Sequence, residues 1–387
     1  MLSRTADHLF WMARYMERAE NTARMLDVNY QMSMLPQSAG AAESGWRGLL
    51  GISELTADYG RRHGAVTPAS VMEYMVSDAE NGSSIGACLM AARENARAVR
   101  GTLTTEVWET QNQTWLEFQR MVANETFQRD PATAFEWVKF RSHLSRGVTV
   151  GTMLQDEAFH FLRIGSFLER ADNTARLLDV KFQSVESDGS GFGQGAGTTR
   201  RRFDRARSAS QSQSQSGSQA QSQSQSKSPS RSQAASGLPT PSATGTPPAA
   251  RPTAAAPSAG EHGTEIEFDF YHWAAVLRSV SGFEIYRKVY RNVIQPEKVA
   301  ELLVLRRDMP RSLAACMHEV VSNLQRVANE QSHDTLRLAG RLDADLQYGR
   351  IDEILATGLH AYLTQFLERV NTLGAAIGRD FLVPVAP

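Results

Sequence analysis

Apolar residues at alternating steps of three and four mark the first thirty residues: Leu9, Met12, Met16, Ala19, Ala23 and Leu26. That spacing places them on one helix face. The stretch Leu2 to Gln31 returns 152 positions later as Leu154 to Gln183, with Phe161, Ile164, Leu168, Ala171, Ala175 and Leu178 on the equivalent stripe. Small alanines in the middle of both stripes predict close approach of another helix. Ser3 is the expected N-cap, and Pro36 with Gly40 closes the first segment.

The helical pattern continues over 44–63, 68–78, 84–110, 112–129 and 132–149, and resumes over 268–292, 296–305, 310–329, 331–348 and 351–378. Gly, Pro or Asn-rich breaks divide the earlier segments, and no alternating strand pattern or hairpin dipeptide interrupts them. The expected class is all-α. Residues 185–265 differ in kind. Alternating glycines lead into Arg200-Arg201-Arg202, followed by Gln-Ser alternation from Gln211 to Ser226 and a Pro/Ala/Thr-rich run to Gly260. With almost no aliphatic residues, such a stretch cannot offset the entropy of ordering and is expected to be disordered. Its arginine cluster is either an interaction patch or simply solvated.

Correspondence extends past the first helix. Trp46 and Tyr59 match Trp273 and Tyr286 at an offset of 227. Pro68, Val71, Glu73 and Val76 match Pro296, Val299, Glu301 and Val304 at 228, as do Ser84 and Ser312, Cys88 and Cys316, and Asn95 and Asn323. The offset grows from 152 to 228 across the Ser/Gln-rich stretch, which therefore reads as an insertion. The expected architecture is a multi-helix bundle built from a tandem duplication, with a long disordered insert in the second half. Its organisation is 1–184, then the insert 185–265, then the remainder 266–387.

Composition narrows the picture. Of 387 residues, 41% are hydrophobic and 21% charged, which suits a globular chain with a sizeable core. A formal net charge of −1 gives no global argument for nucleic acid or an anionic membrane. Two cysteines make no disulfide framework. Arg4, Asp7, His8 and Arg14 interrupt the N-terminal stretch, so no signal peptide is expected, and no apolar run approaches a transmembrane span. A cytoplasmic location is the expectation.

Several motifs together resemble the bacterial alpha-E domain family: Glu17 to Arg24, Ser84 with Ala92-Arg93-Glu94-Asn95-Ala96-Arg97, Trp108-Glu109, Glu169 to Arg176, Leu277 to Gly282, and Pro310-Arg311-Ser312-Leu313. The resemblance covers essentially everything outside 185–265, where the family's usual connection is short. It implies a helical fold without an established activity, encoded beside ATP-grasp amide ligases and transglutaminase-like peptidases. The implied partner is such a ligase or peptidase, and the implied role is a non-catalytic or accessory component of a peptide-modification system.

The residues themselves leave two readings of the chemistry open. Glu17, Asn21 and Arg24 lie at i, i+4 and i+7, as do Glu169, Asn173 and Arg176, so each trio shares a helix face. They could line a polar pocket in which arginine forks hold a carboxylate or phosphate. Equally, Glu20 with Arg24 and Asp172 with Arg176 have acid-first i,i+4 spacing, and a buried Glu–Arg network could simply hold the two halves in register. On the first reading Glu17 or Glu169, with His8 or His160, are the candidate catalytic groups of an amide hydrolase or transferase. Arg18, Asn21, Arg24, Arg170, Asn173, Arg176, Arg97 and Arg278 are the candidate binding residues. Glu157-x-x-His160 and Glu330-x-x-His333 have a di-metal spacing, but Thr5 stands where Glu157 would fall in the first half, so no metal is expected. No Gly-rich phosphate loop, nucleophile elbow or zinc spacing is present, and no cofactor is expected.

Overall fold

The computed structural model describes residues 1–36, 39–188 and 262–382. The chain divides into one unit of Met1–Ser187 with Ile266–Pro387 and another of Asp188–Glu265. The disorder expected for 185–265 falls almost wholly outside the described residues. Among those residues all regular structure is helical, with no strand.

The order is α1 (Ser3–Ser33), α2 (Ala39–Ile52), α3 (Thr56–Arg62), α4 (Pro68–Val76), α5 (Ile85–Ala98), α6 (Thr105–Ala123), α7 (Thr126–Arg129), α8 (Pro131–Thr152) and α9 (Glu157–Asp188). There follow α10 (His262–Ser279), α11 (Phe283–Tyr290), α12 (Pro296–Val304), α13 (Leu313–Arg326), α14 (His333–Tyr348), α15 (Ile351–Thr357) and α16 (Leu359–Phe381). Five expected helices are divided, and at four of the breaks stands a residue with positive φ. Glu54 (φ 56°) ends α2 before α3, Glu125 (φ 53°) divides α6 from α7, and Ser281 (φ 53°) divides α10 from α11. Gly358, at φ 102°, similarly separates α15 from α16. The left-handed turn stops the helical hydrogen-bond ladder while the apolar spacing carries on across it. In the expected 84–110 helix, Thr104 instead starts α6 by accepting from the Val107 amide. Ser3 is not the N-cap of α1. Leu2 holds that position without a side-chain bond, and Ser3 is already helical.

α1 is the central element. It packs most extensively against α5 and α8, and α6 closes over both. In the later half α13 packs on α14, and α14 with α15 on α16. The predicted stripe of α1 is buried throughout, but so is every residue from Ala19 to Val28, polar ones included. Corresponding positions repeat each other's local chemistry. Ser84 and Ser312 are fully buried N-caps, donating to the carbonyls of Asp78 and Arg306. Tyr59 and Tyr286 hydroxyls donate to Ala65 O and Val293 O, each at 3.1 Å. α1 and α9 meet at Gly165, where an added Cβ would lie 2.3 Å from Phe10 O and 3.3 Å from the Ala13 side chain. A close backbone approach therefore uses a glycine, one to two turns before the central alanines.

Candidate functional site

The glutamates and arginines of α1 and α9 are exchanged across the bundle. Arg170 places its fork on Glu17, with Nε on Oε1 and Nη2 on Oε2, both at 2.9 Å. Arg18 does the same to Glu169, at 2.6 Å and 3.1 Å. Each Glu-Arg dipeptide thus gives its carboxylate to the other helix and takes the other's carboxylate in return. Paired N–H···O bonds of this kind are short, directional and charge-assisted.

Around Glu17 the pairing grows into a buried network. Arg311, in the turn before α13, donates to Glu17 Oε1 (2.9 Å), to Asn21 Oδ1 (2.8 Å) and to Glu20. Arg146 of α8 reaches both Glu17 and Glu20, and Ser142 donates to Glu20 at 2.7 Å. Arg24 donates to Glu20 at 2.8 Å and to Ser281 Oγ at 2.6 Å. Glu17 is 1% exposed and Glu20 is 0% exposed. Four arginines thus surround two carboxylates, an excess of two positive charges. His143 contacts both Arg24 and Arg146, and its pKa is lowered chiefly by burial, with Glu20 opposing and the arginines adding to the fall.

Burial would raise the carboxyl pKa of Glu17, but Arg170 and Arg311 outweigh it and bring it down to about 2. Glu20 is held well below the usual carboxylate range against its own burial by Arg311, Arg146 and Arg24. Glu169 is likewise lowered, burial opposing and Arg14 and Arg18 prevailing. Groups whose folded pKa is depressed stabilise the fold above their unfolded pKa and lose that contribution as pH falls. The chain should therefore lose stability steeply between roughly pH 4.5 and 2, with little change from pH 5 to 7 from these groups. Equilibrium denaturation midpoints across that range test it, and a flat profile down to pH 3 would remove the network from the account.

The sequence candidates divide accordingly. Glu17, Asn21, Arg24 and Arg170 meet in the network, whereas Glu169 and Arg18 form the smaller cluster with Arg14. Asn21 does not bridge Glu17 to Arg24: it accepts from Arg311, and Arg24 turns to Glu20. Arg176 grips Asp172 with two bonds and pairs with Glu54, leaving Asn173 on the wall of an adjacent cavity. His8 and His160 do not join the glutamates. Their Nδ1 atoms sit 2.8 Å from Asn95 Oδ1 and Asn323 Oδ1, a matched pair at corresponding positions. Arg97 is exposed and pairs with Glu94. Arg278 lies over the Phe283 ring and lines an open groove of about 550 Å³ together with Arg24, Asp27, Lys139, His143 and Ser281. No spacing in the sequence points to Arg14 or Arg146 as partners of these carboxylates, and Arg311 stands out there only as part of a motif. Each lies far from its carboxylate in sequence, so no local spacing announces it.

Cys88 and Cys316 are buried, and burial raises each thiol to about 12, which makes them core groups. Glu157 pairs with the Met1 amino group rather than with His160. Among the described residues, no group of three or more His, Cys, Asp or Glu side chains converges as metal ligands would. No helix among them is long and apolar enough to cross a membrane.

A family model described as "a predicted alpha-helical domain with a conserved ER motif" matches residues 1–207 and 250–382. The chain belongs to the Alpha-E family. Glu17-Arg18 and Glu169-Arg170, which exchange partners across the bundle, are Glu-Arg dipeptides that fit those words. In this Alpha-E chain the dipeptide is a pairing device: each glutamate is fixed by the arginine of the other helix. No match was found among curated proteins or among solved structures.

Proposed function

We propose that this Alpha-E chain is a non-catalytic, accessory helical component of an amide-ligating or peptide-modifying system, acting beside an ATP-grasp ligase or a transglutaminase-like peptidase. The observation that carries the non-catalytic part is the engagement of both oxygens of each candidate base by arginines. Each oxygen of Glu17 and Glu169 accepts from at least one arginine, and these pairings depress both pKa values. A general base needs a pKa near the working pH and a free lone pair within reach of the substrate proton. The partner class comes from the family resemblance. An amide hydrolase or transferase would call for His8 or His160 beside the carboxylates. The cavity that His160 lines includes Arg163, Glu319, Asn323 and Arg326 but neither Glu17 nor Glu169.

The same reading takes the two halves as products of a tandem duplication. The reciprocal Glu-Arg forks, the His–Asn pairs and the matched serine caps all support it. Residues 185–265 are a connector, and the chain works in the cytoplasm. Joining Ser184 to Glu265 is expected to leave the helical content and unfolding midpoint of the remainder unchanged, as circular dichroism would read.

The test of the function is gentle purification of the tagged chain from its native host, followed by identification of what accompanies it. A stoichiometric ATP-grasp ligase or transglutaminase-like peptidase is expected, with no turnover of ATP or amide substrates by the isolated chain. Isolation of a lone chain that hydrolyses amides by itself would overturn the accessory reading.

A further inference from the structure

A cavity of about 230 Å³ opens between α1, α9, α16 and the turn after α2, walled by Arg14, Arg18, Asn21, Ser83, Asn173 and Arg176 among others. Its acidic groups are already engaged. Both oxygens of Glu169 accept from Arg14 or Arg18, both oxygens of Asp172 accept from Arg176, and Glu54 pairs with Arg176 as well. Unengaged donors remain on the wall. Asn21 is 3% exposed, and its Nδ2 has no hydrogen-bond partner. A buried amide donor left unpaired costs about 1–3 kcal/mol, so its presence asks for an acceptor. Arg14 uses only Nε on Glu169, its guanidinium held 4.9 Å from the Trp11 ring centre, and Arg18 keeps Nη1 free of Glu169.

Charge points the same way. The lining balances three arginines against three carboxylates, but the oxygen of Asn21 is bonded to Arg311, which belongs to the network with two surplus positive charges. An anion beside Asn21 would answer the unpaired donor and offset the surplus at once. The room has a local cause. Ser83 stands 228 positions before Arg311. In the later half the arginine fills the space over Glu17, Glu20 and Asn21, whereas the short serine leaves the corresponding space over Glu169, Asp172 and Asn173 open.

We propose that this cavity binds a small oxyanion, a carboxylate or a phosphate, received by the Asn21 amide and the free nitrogens of Arg14 and Arg18. The site goes beyond the accessory role and holds whether or not the chain has an enzyme partner.

The experiment follows thermal unfolding of the purified full chain against inorganic phosphate and, separately, sodium succinate, each beside sodium chloride at matched ionic strength. The expected result is a saturable rise in Tm in one or both of the first two series and none in chloride. A response to phosphate alone assigns the site to phosphate, and a response to succinate alone assigns it to carboxylates. Ser83→Arg, which fills the cavity as Arg311 fills its counterpart, should weaken half-saturation at least about tenfold. Asn21→Asp keeps the acceptor for Arg311 but turns the unpaired donor into an acceptor. It should raise the ligand-free Tm and remove the response, which keeps the proposal testable if Ser83→Arg folds poorly. Equal shifts in all three salts, or an undiminished response in Asn21→Asp, would overturn it.

Discussion

Glu17→Gln should unfold the chain at moderate temperature, losing on the order of 3–5 kcal/mol. The substitution keeps the shape of the side chain and removes its charge, so buried Arg170 and Arg311, with half-buried Arg146, are left around a neutral amide. Their surplus rises from two charges to three. Removing one partner of a buried ionic set costs more than the pairing contributed, because the remaining ions keep their desolvation without their counter-charge. Against a total stability of about 5–15 kcal/mol, that loss is a large share. Arg97→Ala, on the exposed end of α5, should by contrast stay within about 0.5 kcal/mol. Denaturant midpoints of the two variants beside the parent chain decide it. A loss below about 1 kcal/mol for Glu17→Gln would mean that water reaches the network. The double variant Glu17→Gln with Arg311→Gln should recover part of the loss, since the charge left over is removed with its partner.

The second large effect concerns shape alone. Gly165→Ala would put a methyl group 2.3 Å from the Phe10 carbonyl oxygen. Backbone cannot rotate out of the way as a side-chain end does, so α1 and α9 must move apart. That shift reaches Arg18–Glu169 and Arg170–Glu17, whose forks span the same two helices. Overpacking of this kind costs about 1–3 kcal/mol, and the strained forks place this case at the upper end. Gly340→Ala is the comparison. It lies inside α14 with nothing within 4 Å of the new Cβ, and should gain about 0.5–1 kcal/mol from helix propensity. Equal effects from both substitutions would show that the crossing has slack.

Much of the fold was legible because helix periodicity is a local signal. The stripes of α1 and α9, the all-helical class and the bounds of α12 and α14 all follow from it. The helix breaks were less legible. Glu54, Glu125 and Ser281 adopt left-handed conformations that non-glycine residues seldom take, so the sequence does not mark the positions where the chain turns. Spacing makes the Glu17–Asn21–Arg24 face and the Glu20–Arg24 pair legible, but not their long-range partners Arg311, Arg146 and Arg170. Glu20 and Arg24 have the spacing of a solvated intrahelical pair, and nothing local distinguishes that from a pair with no exposed carboxylate. Arg311 could not be matched to Glu17 by any spacing rule, since 294 positions separate them. The histidines show the opposite error. His8 and His160 share the helix with the glutamates, yet Asn95 and Asn323 draw them to another side.

That separation of 294 positions also orders events during synthesis. When α1 leaves the ribosome, Arg24 is the one member of the four-arginine network already made. Arg146 and Arg170 follow much later, and Arg311 after the whole 185–265 stretch has been made. The first helix therefore cannot settle into its native surroundings until the last third of the chain arrives, and contacts of such range make folding slow. Chains released before Arg311 would carry two carboxylates with an incomplete set of counter-ions, a state suited to capture by chaperones and proteases. The crossing that fixes the finished molecule thus also acts as a check on its completeness.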